Sequence, residues 1–173
     1  DEALERVLHG VSPLPPETVP LEGALGRALT EDLLTPGQLP PWDSSAMDGY
    51  AIQGDDAAGA TEAQPAVLTV TGVIHAGTRF DGTVQTGQAV RIMTGGEVPA
   101  GADTVIRVED TDREESEAGK LRVYSERDRG RHVRPAGQDW PEGAIALRSG
   151  TGLGPGQIAV LAAARKPSIA VYR

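Results

Sequence analysis

Three oxygen-bearing side chains stand where a chain can hold them stiffly: Asp48, Thr94 and Asp139. Asp48 closes the run Pro40-Pro41-Trp42-Asp43-Ser44-Ser45-Ala46-Met47, whose prolines fix φ and keep the residues before them extended. Asp48-Gly49 reads as a turn that runs into the strand start Tyr50-Ala51-Ile52, so the carboxylate sits on a rigid mount. The plain alternative is a hairpin turn, with Ser44 and Ser45 capping backbone amides. Thr94 follows the strand segment Arg91-Ile92-Met93 and precedes Gly95-Gly96, which let a backbone or a ligand approach closely. Asp139 lies in a second turn, Gly137-Gln138-Asp139, after the basic stretch Arg127, Arg129, Arg131, His132, Arg134. Two carboxylates and a hydroxyl suit a hard cation such as Mg²⁺, which keeps most of its waters and bridges to anionic groups. The arginines suit the anion itself, although a basic run is also a common solvated face. Taken singly, each of these residues fits a structural turn role as well.

Other chemistries drop out. With no cysteine there is no disulfide framework, thiolate metal site or cysteine nucleophile. His9, His75 and His132 lie in separate contexts and form no i, i+4 pair for zinc. The loop Gly150–Gly156 lacks the Lys-Ser/Thr of a phosphate-binding loop and enters its helix through Pro155, so it reads as a connector. A net charge of -9 opposes a general grip on nucleic acid. No apolar run approaches the ~20 residues that span a bilayer, and a cytoplasmic location with no membrane partner is the default expectation.

The elements that must position these residues are mostly strands. Gly 22 and Pro 13 together make about a fifth of the 173 residues, a proportion typical of turn-rich β structure. Aromatic residues are only 3%, so the core must be built from Val, Leu, Ile and Ala. Leu4, Val7 and Leu8 at helical spacing predict a short first helix, stopped by Gly10 and the prolines at 13, 15 and 16. Leu21, Ala24, Leu25 and Ala28 predict a second. Strands are expected at 67–74, 89–93, 103–108 and 121–124, a spacing that suggests a small barrel or sandwich. A strand at 144–147, a helix at 157–165 opened by Pro155, and a strand at 168–172 complete the chain.

Three segments carry a family resemblance. Pro41-Trp42-Asp43-Ser44-Ser45-Ala46-Met47-Asp48-Gly49-Tyr50-Ala51 resembles the P-x-D-x-S-A-M-D-G-Y-A signature of the molybdopterin molybdotransferases, relatives of the E domain of gephyrin. Arg91-Ile92-Met93-Thr94-Gly95-Gly96-Glu97-Val98-Pro99-Ala100-Gly101-Ala102-Asp103-Thr104-Val105 is similar to the family's R-I-M-T-G-A-x-x-P-x-G-A-D-x-V. Val133-Arg134-Pro135-Ala136-Gly137-Gln138-Asp139 is similar to x-R-x-x-G-E-D. Two departures stand out: Gln138 replaces the usual Glu, and Gly96-Glu97 replaces an Ala-led pair.

The resemblance implies a mainly β (α+β) fold with an elongated, discontinuous first domain at 1–44 and 140–173, and an inserted β-rich domain at 45–139. It implies insertion of molybdate into adenylylated molybdopterin with release of AMP, assisted by a divalent metal such as Mg²⁺, in an elongated homodimer. Asp48, Thr94 and Asp139 would be the catalytic groups, with Asp48 and Asp139 at the metal. Ser45, Met47, Gly49, Gly95 and Arg134 would be neighbouring cofactor-binding positions. The family's site lies between the second domain of one subunit and the third domain of its partner. The third domain begins with a Thr-Gly-Asp-Glu-Leu-like motif after a strand like Ile169–Arg173, so the expectation is a two-domain N-terminal fragment that is inactive alone. A reading of another class stays open, a non-catalytic dimerisation or scaffold module of a gephyrin-like protein. So does the choice between molybdenum and tungsten.

Overall fold

The computed structural model describes residues 2–75 and 77–173. In chain order the elements are α1 (Glu2–Leu8), β1 (Pro16–Pro20), β2 (Ala28–Leu29), β3 (Leu33–Leu34), β4 (Ser44–Ser45), β5 (Gly49–Ile52) and β6 (Ala66–Ile74). They continue with β7 (Gln88–Ile92), β8 (Thr104–Arg107), β9 (Lys120–Val123), β10 (Val133–Arg134), β11 (Ile145–Leu147), α2 (Pro155–Ala163) and β12 (Ser168–Tyr172). The fold is mainly β, and the chain divides into two units, 1–37 with 140–173, and 38–139. The first boundary falls at Gly37/Gln38, where sequence analysis set it at 44/45. Residues 39–45 are tied to the end of the second unit: Pro40 O accepts from Gly137 N at 2.9 Å, and Ser44 pairs with Arg134. No described helix is long and apolar enough to cross a membrane.

In the discontinuous unit, β12 runs antiparallel between β1 and β2. Leu29, Leu33, Leu153, Leu161, Ile169 and Val171 form its core. β1 begins and ends in proline, which an edge strand tolerates because its outer N–H groups need no partner. In the sequence, Pro16 reads as part of a helix stop and Pro20 as the opening of a second helix. The second helix expected around 21–28 is a single 3-10 turn, Leu21–Gly23; Gly26 then turns the backbone at φ 78, and Ala28 enters β2. At α2, Pro155 occupies the first turn and Gln157 Oε1 accepts the Gly154 N–H at 3.2 Å, so the glycine-rich loop leads into a capped helix.

The inserted unit is built on one curled five-stranded sheet, ordered β8-β5-β7-β6-β9, rather than two packed sheets. All pairs are antiparallel except β6 with β7. Alternation along each strand sends Tyr50, Ile52, Ala89 and Ile106 to one core, and Ala51, Val90, Ile92 and Val105 to another. β5 is therefore buried on both faces. Its register matters most for function. Gly49 lies opposite Ile92 on β7 and opposite Arg107 on β8. Antiparallel pairing then makes the chain leave β7 at Met93-Thr94, and leave β8 at Val108, on the edge where Asp48 enters β5.

Candidate active site

The mount of Asp48 is not a hairpin. β4 pairs with β10, and β5 pairs with β7 and β8; between them, Ala46–Asp48 form a bend. Ser45 is the anchor of that bend and is almost wholly buried. Its N–H donates to Gly96 O at 2.9 Å, and its carbonyl accepts from Gly95 N at 2.8 Å. Its hydroxyl donates to Met47 O at 2.5 Å and accepts from Met47 N at 3.3 Å. Ala46 N donates to His132 O at 2.9 Å. Ser45 thus bonds both Met47 and Gly95 in the scaffold that carries Asp48.

Gly49 is required by crowding, not by turn geometry. Its φ is not positive, and a Cβ there would stand 2.0 Å from Ile106 O of the neighbouring β8. Gly95, by contrast, has φ 80 and supplies the left-handed residue that turns the chain after Thr94. That turn delivers both donors of Thr94 to one atom: backbone N and Oγ1 each donate to Asp48 Oδ1 at 2.7 Å. The backbone bond first, and the hydroxyl bond second, hold the Asp48 carboxyl below the usual carboxylate range. Asp48 O in turn accepts from Val108 N at 3.1 Å. Oδ2 of Asp48 has no partner among the described residues.

Asp139 forms a separate pair. Arg134 Nη2 donates to both of its carboxylate oxygens, at 2.8 and 2.9 Å, and Arg134 Nε reaches Gln138 Oε1 at 3.4 Å. A neutral amide therefore suffices at position 138 as an acceptor. The turn is strapped to the mount of Asp48: Asp139 N donates to Leu39 O at 2.8 Å, and Ala136 N to Asp43 Oδ1 at 2.8 Å. The structure brings Asp48 to Thr94 and Asp139 to Arg134. Among the described residues no hydrogen bond joins the two pairs, and no group of three metal-ligating side chains is present.

Two residues beside Asp48, Arg91 and Arg113, carry no site signal in the sequence. A cleft of about 230 Å³ is lined by Asp48, Gly49, Arg91, Met93, Val108 and Arg113. Arg91 lies over the Tyr50 ring, 5.8 Å from its centroid. The Tyr50 phenol is pushed up to about 12, chiefly by burial and then by its bond to Glu114 Oε1 at 3.1 Å. The basic run that had suggested an anion grip is largely consumed by carboxylates: Arg127 pairs with Asp110, Arg129 with Asp55, and Arg134 with Asp139. His132 meets the buried Asp128 at 3.0 Å, and Arg107 grips the same carboxylate.

A family model described as MoeA N-terminal region (domain I and II) matches residues 1–164. Molybdopterin molybdenumtransferase 2 of Mycobacterium tuberculosis is 38% identical over 148 residues, which is 86% of this chain and 36% of that protein. Molybdopterin molybdenumtransferase of Bacillus subtilis is 35% identical over 174 residues, covering 100% of this chain and 40% of the relative. The crystal structure of the molybdopterin biosynthesis moeA protein from Pyrococcus horikoshii OT3 superposes with a TM-score of 0.88 at 37% identity, over 98% of this chain and 44% of that one. The chain spans less than half the length of each of these relatives.

Proposed function

The chain belongs to the MoeA N-terminal family, and from that premise we propose that it forms one wall of a molybdotransferase site in molybdenum-cofactor biosynthesis. The proposed reaction inserts molybdate into adenylylated molybdopterin and releases AMP, in a homodimer whose site is completed by a further domain. One observation carries the reading. Asp48 has one oxygen fixed by both donors of Thr94 and the other unpartnered, at the mouth of a cleft that also holds two arginines. A carboxylate held ionised in one orientation is suited to gripping a cation or orienting a polar substrate.

A divalent cofactor metal, proposed as Mg²⁺, fits this donor set only as a water-rich ion shared with substrate oxygens. One free carboxylate oxygen meets that need, and an all-protein cage is absent among the described residues. Asp48 would hold the ion through Oδ2. Asp139 would join only by giving up an oxygen now bonded to Arg134. When bound, Mg²⁺ supplies charge neutralisation at anionic oxygens. Thr94 keeps Asp48 oriented, and Arg134 holds both oxygens of Asp139. The test is AMP release from adenylylated molybdopterin with molybdate and Mg²⁺. The protein carrying the further domain is expected to be active and the 173-residue chain alone inactive. Robust release by the chain alone would overturn the composite-site reading.

A further inference from the structure

We propose that Arg91 and Arg113 form a subsite for a tetrahedral oxyanion in the cleft beside Asp48. The protein carries a net charge of -9, and most of its arginines are ion-paired to carboxylates. Arg91 and Arg113 make no close ion pair among the described residues, although both line the same cleft as Asp48, whose ionised form the charge of Arg91 favours. Two guanidiniums lining one small cavity present many donors, which suits a phosphate-like ion, and the one carboxylate in the lining, Asp48, already has an oxygen bonded by both donors of Thr94. The volume of about 230 Å³ holds such an ion with several waters. Met93 and Val108 make part of the wall apolar, which weakens screening there.

The side chain of Arg91 and the backbone of the exposed Arg113 are held in place. Arg91 is half-buried on β7 and packed over the Tyr50 ring. Arg113 projects from a turn in which it and Glu114 both have positive φ, 56 and 64, a conformation that costs side-chain-bearing residues free energy unless it is held. The holding groups are local. Arg113 N donates to Thr111 Oγ1 at 3.2 Å, and Glu114 N to Oδ1 of the nearly buried Asp112 at 3.2 Å. The same Asp112 atom accepts from Arg122 N on β9 at 2.8 Å, and Tyr50 OH holds the Glu114 carboxylate. The turn is thus tied to β9 on one side and β5 on the other. Its guanidinium has no competing partner among the described residues.

The subsite stands on these contacts, while the source of the oxyanion rests on the proposed function: either a phosphoester end of the nucleotide-linked pterin or molybdate. Titrations of the 173-residue chain at constant ionic strength separate them. The probes are inorganic phosphate and sodium molybdate, followed through arginine Nε–Hε NMR signals. Saturable shifts at Arg91 and Arg113 with phosphate alone point to the phosphoester, and with molybdate alone to the metal oxyanion. Arg113→Ala and Arg91→Lys are each expected to weaken binding by about tenfold, the scale of one charge-assisted hydrogen bond. Arg148→Ala, in the other unit, is expected to leave binding unchanged. Absence of saturation by either ion overturns the subsite, as does an equal loss in the Arg148 variant. Adding Mg²⁺ tests the other reading. If it leaves oxyanion affinity unchanged while the arginine dependence persists, the metal role of Asp48 fails and the subsite stands. If both arginine variants bind like the parent while Mg²⁺-dependent AMP release by the longer protein persists, the subsite fails and the proposed function stands.

Discussion

Asp128→Asn replaces a buried charge by its neutral isostere, and its consequence can be worked from the contacts. Asp128 is 1% exposed. Its Oδ2 accepts from Arg107 N at 3.2 Å and Arg107 Nε at 3.0 Å; Oδ1 accepts from Arg107 Nη2 at 3.2 Å and meets His132 Nε2 at 3.0 Å. Burial opposes ionisation, but the bonds from Arg107 and His132 outweigh it and bring the carboxyl from 3.8 down to about 2. Each unit is about 1.4 kcal/mol, so the charge stabilises the fold by about 2 kcal/mol at neutral pH. Because the folded value is depressed, that contribution is complete above the unfolded value of 3.8 and is lost as pH falls through about 2. About half should remain at pH 3. Urea unfolding of parent and variant at pH 7 and pH 3 measures it: the gap is expected to be about 2 kcal/mol at pH 7 and about 1 kcal/mol at pH 3. A variant as stable as the parent at pH 7, or a gap that does not narrow at pH 3, would refute the assignment.

Asp48→Asn in the protein carrying the further domain should lower AMP release by about a hundredfold, the scale of losing one preorganised charged group, with circular dichroism unchanged; near-parental turnover would remove Asp48 from the site. Gly49→Ala puts a methyl 2.0 Å from Ile106 O and should cost roughly 3 kcal/mol or more in urea unfolding, against the gain expected if this glycine merely served a flexible turn. The half-exposed Arg134–Asp139 pair predicts a dissociation of effects: Arg134→Ala should change stability by about 0.5 kcal/mol at most yet lower kcat strongly. Equal kcat in parent and variant would mark the pair as surface decoration.

Much of the fold was legible because long strands and helices repeat their signal. β6 and β7 carry enough alternating apolar residues to be read directly, and α1 and α2 show helical spacing. The elements that were missed are short. β2, β3, β4 and β10 are two residues each, too short to show any period, and they form through contacts distant in sequence. β1 was hidden by its prolines, which an edge position tolerates. The Asp48–Thr94 contact spans 46 positions and depends on the β5–β7 register, so the two residues could be nominated separately but not joined. Charge misled in a specific way. Most of the conspicuous arginine run is paired with acids, Asp110 and Asp55 from distant segments and Asp139 from the next turn, whereas Arg91 and Arg113, separate in sequence, make no close ion pair and line one cleft.

The roles of Ser44 and Ser45 also change once the pairing is known. As a sequence they could be capping hydroxyls on a hairpin. In the structure their backbone is the shared support of both polar pairs. Through Ser45 N and O, β4 fixes the Gly95-Gly96 turn that aims Thr94 at Asp48. Through its pairing with Val133 and Arg134, the same two residues fix the strand from which Arg134 reaches Asp139. Two pairs far apart in sequence thus share one buried dipeptide, and the strap at 39–43 adds a second tie to the Asp139 turn. A backbone disturbance at Ser45 must therefore move both pairs together, whereas a change at Asp48 or Asp139 alters only one. That coupling is what a single wall requires if it is to meet a substrate held by another domain: its charged groups keep a fixed spacing although no side-chain bond connects them.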